Sequence, residues 1–497
     1  MESSRSSSND RHSSTRSRSA ARRWPRLAVW VIAGGIALAA GLWAVGRLSP
    51  ESAEQSGNAL AAPSTAGAGC SAGTSYHVGP DGSATGDGSP ERPLDLATAL
   101  GSSSPARGCD TIWLHGGTYS GTFVSSLRGS ENAPIIVRQA PGERVTLDGA
   151  SQNLPVLAAG GAYTWFWGFE VTNSDVQRSS AEGGGWPGDL KRATGVAASG
   201  GNLKFINLNV HDVTRGFEMS SAALNAEVYG SLIYYNGWVG PGGAANGHGI
   251  DTHNRAGRQR LVDNVIFNQF SHGIIAYSSK EQPADFITIE GNILFNNGVL
   301  SPGGFERDML VGGGAVVKSP VLQENMTYGG AQTYIGEGQG CNGSRIDGNY
   351  FAGPLLLKPC EGVVKGNTLR TSSPDLVTAY PDNVHGQKGP AKLVVYVRPN
   401  QYEPGRAHVA VYNWAKQPTV AVDLTATKLA DGAAFEVYDA QNFAKPLASG
   451  TFSPGRPTVT VTLTGLTTAP PIGDGIKAPA HTAPEFIALV VLPVAKP

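Results

Sequence analysis

Charge is sparse in this chain: Asp, Glu, Lys and Arg make up 15% of its 497 residues, and the formal net charge is −1. Segment 1–26 holds seven Arg against Glu2 and Asp10, so setting it aside from 38 basic and 39 acidic residues leaves a remainder near −6. That balance argues against nucleic acid as a partner, because phosphate binding needs a basic surface. It also gives no long-range attraction for an acidic polysaccharide unless a bound cation intervenes. Cysteine is scarce as well, with four residues and no CxxC spacing, which disfavours zinc and suits two disulfides in an exported chain. Cys70 and Cys109 stand on either side of the first folded segment. Cys341 and Cys360 fall eight and seven residues before Asn349 and Asn367, nearly equivalent places in a repeat, where a bridge between coils is expected.

Long apolar runs are almost absent, which makes the exception informative. Residues 27–45 form an uncharged apolar stretch of nineteen residues, long enough to cross a bilayer. The Arg-rich segment before it keeps the N-terminus in the cytoplasm by the positive-inside rule, so the rest of the chain is expected outside. A retained single-pass anchor is the first reading, and secretion after cleavage near Ala59-Leu60-Ala61 is the alternative. The organisation that follows is a tail at 1–26, a transmembrane or signal-anchor helix at 27–46 and a Ser/Ala/Gly linker at 47–69. A repeat region at 70–376 and a last domain at 377–497 complete it.

Gly at 66 residues and Pro at 32 suit an all-β protein rich in tight turns. Seven segments repeat an Asn or Ser followed by alternating apolar residues, beginning at Asn207, Ser231, Asn264, Asn292, Asn325, Asn349 and Asn367. Their spacing lies in the solenoid range, and short strands of this kind bury their apolar face only against the coils above and below. A parallel β-helix is therefore expected, with the repeated Asn passing amide hydrogen bonds from coil to coil. Ahead of it, residues 76–149 read as an end cap with a short helical pattern at Leu94, Leu96, Ala97 and Leu100. The loop from Asp81 resembles a calcium loop, but its twelfth position is Arg92 where a carboxylate is required, so it reads as a turn. Insertions at 179–194, near 238–247 and near 299–314 are expected to project from one face. After residue 376, alternating segments separated by Pro and Gly read as a β-sandwich.

Aligning coils on the repeat brings Arg215–Ser220, His248–His253 and 272–277 into register. Period-2 alternation turns Phe217, Ile250 and Ile274 inward and leaves Glu218, Asp251 and Ile275 outside, followed by Ser220, His253 and Tyr277. Two carboxylates one strand apart raise one another's pKa or share a cation, calcium being the expected one at Glu218 and Asp251. Asp251 is placed to orient His253 as a general base, with Tyr277 or His248 as the opposing acid. Arg215, Arg255 and Lys280 are the cations available to hold a substrate carboxylate or to satisfy the acidic pair. The bland reading is a solvated strand face. His211 and His115 read as isolated and structural, Glu306-Arg307-Asp308 as an internally paired charged turn, and Lys318 stays unplaced.

The cap resembles that of exported right-handed, pectate-lyase-like β-helix proteins, polysaccharide and alginate lyases among them. The stretch HGIDTHNRAGRQRLVDNVIFNQFSHGIIAYSS at 248–279 is similar to the active coils of mannuronan carbon-5 epimerases. That resemblance implies Asp251 as the acid and His253 as the base at the carbon-5 proton. It departs from the family where His248 replaces a Tyr, Thr252 a Pro and Asn254 an acid, and where Ser278 stands near the place of an expected basic residue. Gly247-His248-Gly249 resembles a polygalacturonase strand, without the further acids that hydrolysis needs. The C-terminal segments resemble sandwich domains appended to glycosidases. The resulting expectation is a monomeric, membrane-anchored β-helix acting on polysaccharide as a uronate lyase or epimerase. The alternatives are a non-catalytic glycan-binding or envelope scaffold, or a glycoside hydrolase.

Overall fold

A computed structural model describes residue 70 and residues 73–300, 302–303, 307–386 and 392–494. The tail, the apolar run and the linker lie outside the described residues, as does Glu306. Among the described residues no helix is long and apolar enough to cross a membrane.

Each turn of the chain contributes one short strand to each of three parallel sheets of twelve, eleven and nine strands. One coil runs through Lys204–Ile206, Asn209–His211 and Arg215–Met219; the next runs through Glu227–Tyr229, Leu232–Tyr234 and His248–Thr252. Successive coils stack in parallel register, as in Leu232 beside Val265 and Val265 beside Ile293. Their inward side chains form one continuous apolar core from Val78 to Leu369. The cap carries the expected short helix at Leu96–Leu100, where Asp95 accepts from the Thr98 N–H.

The Asn ladder runs from Asn264 through Asn292, Asn325, Asn349 and Asn367 to Asn383. In it each amide Nδ2 donates to the next Oδ1 at 2.7–3.0 Å. Ser231 joins it through its backbone N–H, which donates to Asn264 Oδ1 at 3.0 Å. Asn207 does not belong to it. Asn209 pairs with Leu232, so Leu208 stands beside Ser231, and the Asn207 side chain instead accepts from Asn400 Nδ2 at 2.7 Å. The stack also continues past residue 376 to Val384–His385, which pairs with Thr368–Leu369. Cys341 and Cys360 are bonded across two adjacent coils and Cys70 is bonded to Cys109.

The C-terminal segments form a five-stranded antiparallel sheet and a two-stranded one. Val409, Val411, Ile487 and Leu489 pack against Val420, Val422 and Val461 between them. The opposite face of the larger sheet lies on the β-helix, where Tyr412 and Phe486 meet Phe267, Phe295 and Tyr328.

Candidate functional site

The nine-stranded sheet carries the residues singled out in the sequence, and a corner glycine decides which of them face outward. A Cβ on Gly249 would lie 2.5 Å from the Gly273 oxygen and 2.8 Å from Ile266, so Gly249 faces the interior together with Ile250. Gly216 and Gly273 occupy the same place, where an added Cβ would likewise lie 2.5 Å from the next coil's carbonyl. Strict alternation would turn Arg215 and His248 inward. Two successive inward residues at the corner restore them to the outer face.

The outer face therefore holds three rows. The first contains Arg215, His248, His272 and Arg307, the second Glu218, Asp251, Ile275 and Leu310, and the third begins at His253 and Tyr277. Glu218 stands beside Asp251, and Asp251 beside Ile275, in the register read from the sequence.

Contacts link these rows. His253 Nε2 lies 3.4 Å from Asp251 Oδ1, and Arg215 Nε lies 3.4 Å from Asp251 Oδ2. Glu218 accepts from Thr194 at 3.3 Å. Burial pushes the Asp251 carboxyl above the usual range, against the pull of His253 and Arg215. Burial also raises Glu218, against the pull of Arg215 and with the help of the Asp251 charge. In the first row, burial, His272 and Arg215 drive the His248 pKa well down, while burial and Arg307 bring His272 to about 3. Both imidazoles are neutral at neutral pH.

Tyr277 is 44% exposed beyond His253. Arg255 donates to the Glu281 carbonyl at 2.6 Å on the turn that carries the exposed Lys280, and among the described residues neither cation makes an ion pair with Glu218 or Asp251. Of the three cations expected there, the fold brings only Arg215 against the carboxylates. Glu218 and Asp251 do not fit a calcium site: the ion takes six to eight oxygens, and here a guanidinium lies against one of two carboxylates. Among the described residues no group of three or more His, Cys, Asp or Glu is placed to hold a metal ion.

Several residues correct the sequence reading. Arg307 begins a strand of the site sheet and reaches Glu337 at 3.6 Å, while Asp308 is buried inside the coil against Asn297 at 2.8 Å. Arg307 and Asp308 thus lie on a strand and not in a turn. Lys318 lies on the twelve-stranded sheet and pairs with Asp285 at 3.2 Å. His211 is held between Glu170 and Asp212, both at 2.8 Å, and His115 lies between His77 and Glu143, so neither is isolated.

His272, Trp186 and Trp238 were missed. The repeated residue-before-glycine in RG, HG and HG pointed to His272. The position of an insertion ahead of its strand pointed to the two tryptophans. The first two insertions enter at the corner before a site strand, whereas most of the third, expected near 299–314, is the strand Arg307–Gly313 of the site sheet itself. The first places Trp186 over the Arg215 guanidinium at 3.8 Å, and the second forms the hairpin Trp238–Val239 with Ala245–Asn246.

Residues 76–318 match the family model described as Pel9A-like, right handed beta helix region. Among solved structures the chain is similar to pectate lyase Pel9A, at 19% identity over 66% of this chain and 84% of that one, with a TM-score of 0.43. A rhamnogalacturonan lyase follows at 14% identity over 59% and 84%, with a TM-score of 0.41. An alginate lyase from Paenibacillus sp. str. FPU-7 follows at 16% over 54% and 96%, with a TM-score of 0.37. Comparison with curated proteins returns no match.

Proposed function

We propose that this protein is carbohydrate-active and takes a uronate polysaccharide along the outer face of the nine-stranded sheet, where it removes the proton alpha to a uronate carboxylate. The observation that carries this reading is the convergence of Asp251, His253 and Arg215 within 3.4 Å contacts on one outer patch, with Glu218 and Tyr277 in neighbouring rows. In the reaction the His253 imidazole takes the carbon-5 proton, and Asp251 holds the ring and balances the imidazolium that forms. Tyr277 delivers a proton on the other side; His248, whose pKa burial, His272 and Arg215 drive well down, is uncharged and does not serve as the acid. Delivered to the leaving oxygen as the carbon-4 bond breaks, that proton completes β-elimination; delivered to carbon-5 from the opposite face, it completes epimerisation. The same reading puts the β-helix outside the cell, held as a monomer by the run at 27–45.

Incubating the purified full-length protein with a panel of uronate polymers tests this. Ultraviolet absorbance from an unsaturated product marks elimination, and a changed sugar configuration by NMR marks epimerisation. His253→Ala is expected to lower turnover by about 10²-fold or more with an unchanged melting temperature. Turnover that survives this change removes His253 from the chemistry. Glycan binding without turnover is the second reading. It is favoured by the His253 ring itself, whose Nε2 is held at Asp251 while its Nδ1 is enclosed without a partner among the described residues.

A further inference from the structure

From Glu218 toward the cap, the second outer row of the nine-stranded sheet continues through Ala197 and Ala158 to Val124. The strands that carry it, Phe123–Ser125, Leu157–Ala159 and Val196–Ala198, contain no charged residue. They extend the outer face by about 14 Å, three strand spacings of about 4.8 Å. This floor is low and open: both alanines are half-buried, and Val124 is 64% exposed. On the other side of Asp251 the same sheet carries the ion pair of Arg307 and Glu337. The outer face therefore has one charged arm and one uncharged arm.

The first insertion borders the uncharged arm where it meets the acids. Trp186 is 65% exposed, and the Arg215 guanidinium lies 3.8 Å from its ring centre. A ring covered on both faces could not stay this open, so the face turned away from Arg215 is bare. A lone exposed indole is ordinary on a protein surface. This one is pinned by the guanidinium that also lies 3.4 Å from Asp251, which fixes its bare face beside the site. A cavity of about 220 Å³ adjoins the indole and is lined also by Pro155 and Thr194, just ahead of two strands of the arm, and by the exposed Asn153.

A pyranose ring presents an apolar face of C–H groups and a rim of hydroxyls. The first suits a bare indole and an alanine floor, and the second suits an amide such as that of Asn153. A carboxylate finds no partner on this arm. Arg215, the cation of the adjoining strand, has a side chain only 8% exposed and is engaged with Asp251 and the Gly185 carbonyl. The charge that adjoins the arm in its own row is the Glu218 carboxylate, and like charges set side by side disfavour binding.

We propose that the cap-side arm is a subsite for an uncharged sugar stacked on Trp186, so that the preferred polymer joins its uronate to a neutral unit instead of repeating uronate throughout. The proposal rests on the reading that the outer face takes a uronate polysaccharide, and it names the chemistry of the unit beside the reacting one.

The test measures binding to the full-length protein in detergent, carrying His253→Ala to hold turnover down. The probes are polygalacturonate, in which every unit is charged, and a polymer that alternates galacturonate with rhamnose. The alternating polymer should bind about fivefold or more tightly per galacturonate, the range of one aromatic contact. It should also quench the Trp186 emission, read as the difference from Trp186→Phe. Trp186→Leu keeps an apolar cover on Arg215 and removes the flat ring, so it should abolish the preference at an unchanged melting temperature. Polygalacturonate binding as tight or tighter, an unmoved Trp186 emission, or a preference that survives Trp186→Leu overturns the proposal and leaves the proposed function standing. A Trp186-dependent preference in a protein whose wild type turns over neither polymer keeps the subsite and defeats the proposed chemistry. Binding of neither polymer overturns the subsite, and the uronate panel then decides the proposed function by itself.

Discussion

Single side chains in this protein are governed by what burial does to their charge, and the clearest case lies outside the proposed site. Burial works to lower the His211 pKa, yet hydrogen bonds and charges from Asp212 and Glu170 raise it to about 9. Burial likewise works to raise Glu170, and His211, Thr146 and Arg144 bring it to about 2. The His211 contribution to stability is complete below its unfolded value near 6.5 and is lost as pH rises through about 9. The Glu170 contribution is present above about 4.5 and is lost as pH falls through about 2. Both shifts report the same contact, so they do not add. Thermal melts from pH 7 to 9.5 should show a loss of about 3 kcal/mol in the wild type and a much flatter profile in His211→Gln. Equal slopes would mean that His211 is not charged in the folded protein. At this scale the sequence was partly legible: alternation placed Glu218, Asp251 and Tyr277 correctly, because it needs only the period of a strand. It was silent on the acids around His211, since Glu170 lies 41 residues earlier in the chain and meets it only through the stacking of coils.

At the scale of the element, the repeat that reveals the coils also bears the load of closing them. Asn292 is fully buried and accepts from both the N–H and the Nδ2 of Asn264, while its own amide donates to the Leu261 carbonyl and to Asn325 Oδ1. Asn292→Ala leaves the donors of Asn264 without their acceptor and the Leu261 carbonyl without its donor. It should cost about 2–4 kcal/mol, read as a lower denaturant midpoint at unchanged slope. Asn292→Ser should cost less, because serine already holds a ladder place at 231, where its Oγ accepts from the Leu208 N–H at 3.1 Å. Identical losses for the two variants would show that the ladder amide contributes by volume alone. The ladder was readable because one residue type recurs at one bend. Its first member was misread at Asn207 because a neighbouring Asn on an outward position mimics the pattern, and Asn383 was passed over because no apolar alternation follows it. The corner glycines were visible as letters, but their meaning, two inward residues in succession, is set by a neighbouring coil so close that an added Cβ would lie 2.5 Å from its carbonyl, which only the stacked structure reveals.

For the whole molecule, the question is why a solenoid that buries its core coil by coil carries a sandwich along one side. The outer face of its eleven-stranded sheet answers it: Leu232, Val265, Phe267, Ile293, Phe295 and Met326 form an apolar stripe, covered by Tyr412, Phe486, Ala488 and Val490. Tyr412 also donates to the Thr327 carbonyl at 2.9 Å, and Arg398 pairs with Asp263 at 2.8 Å, so polar contacts fix the orientation of the cover. A coil face this apolar would be an association surface if bare. The site sheet, on another face of the helix, interrupts its apolar outer residues Ile275 and Leu310 with the charged row of Arg215 and Arg307 and with Glu218 and Asp251. A chain ended after residue 386 should therefore still form its parallel coils but expose the stripe. It is expected to bind more of an apolar dye and to elute as larger assemblies on gel filtration than the intact chain in the same detergent. Replacing Phe267 and Phe295 by Lys in the shortened chain should restore a monodisperse species. A shortened chain that is monodisperse without those changes would mean that the sandwich serves some purpose other than covering the β-helix.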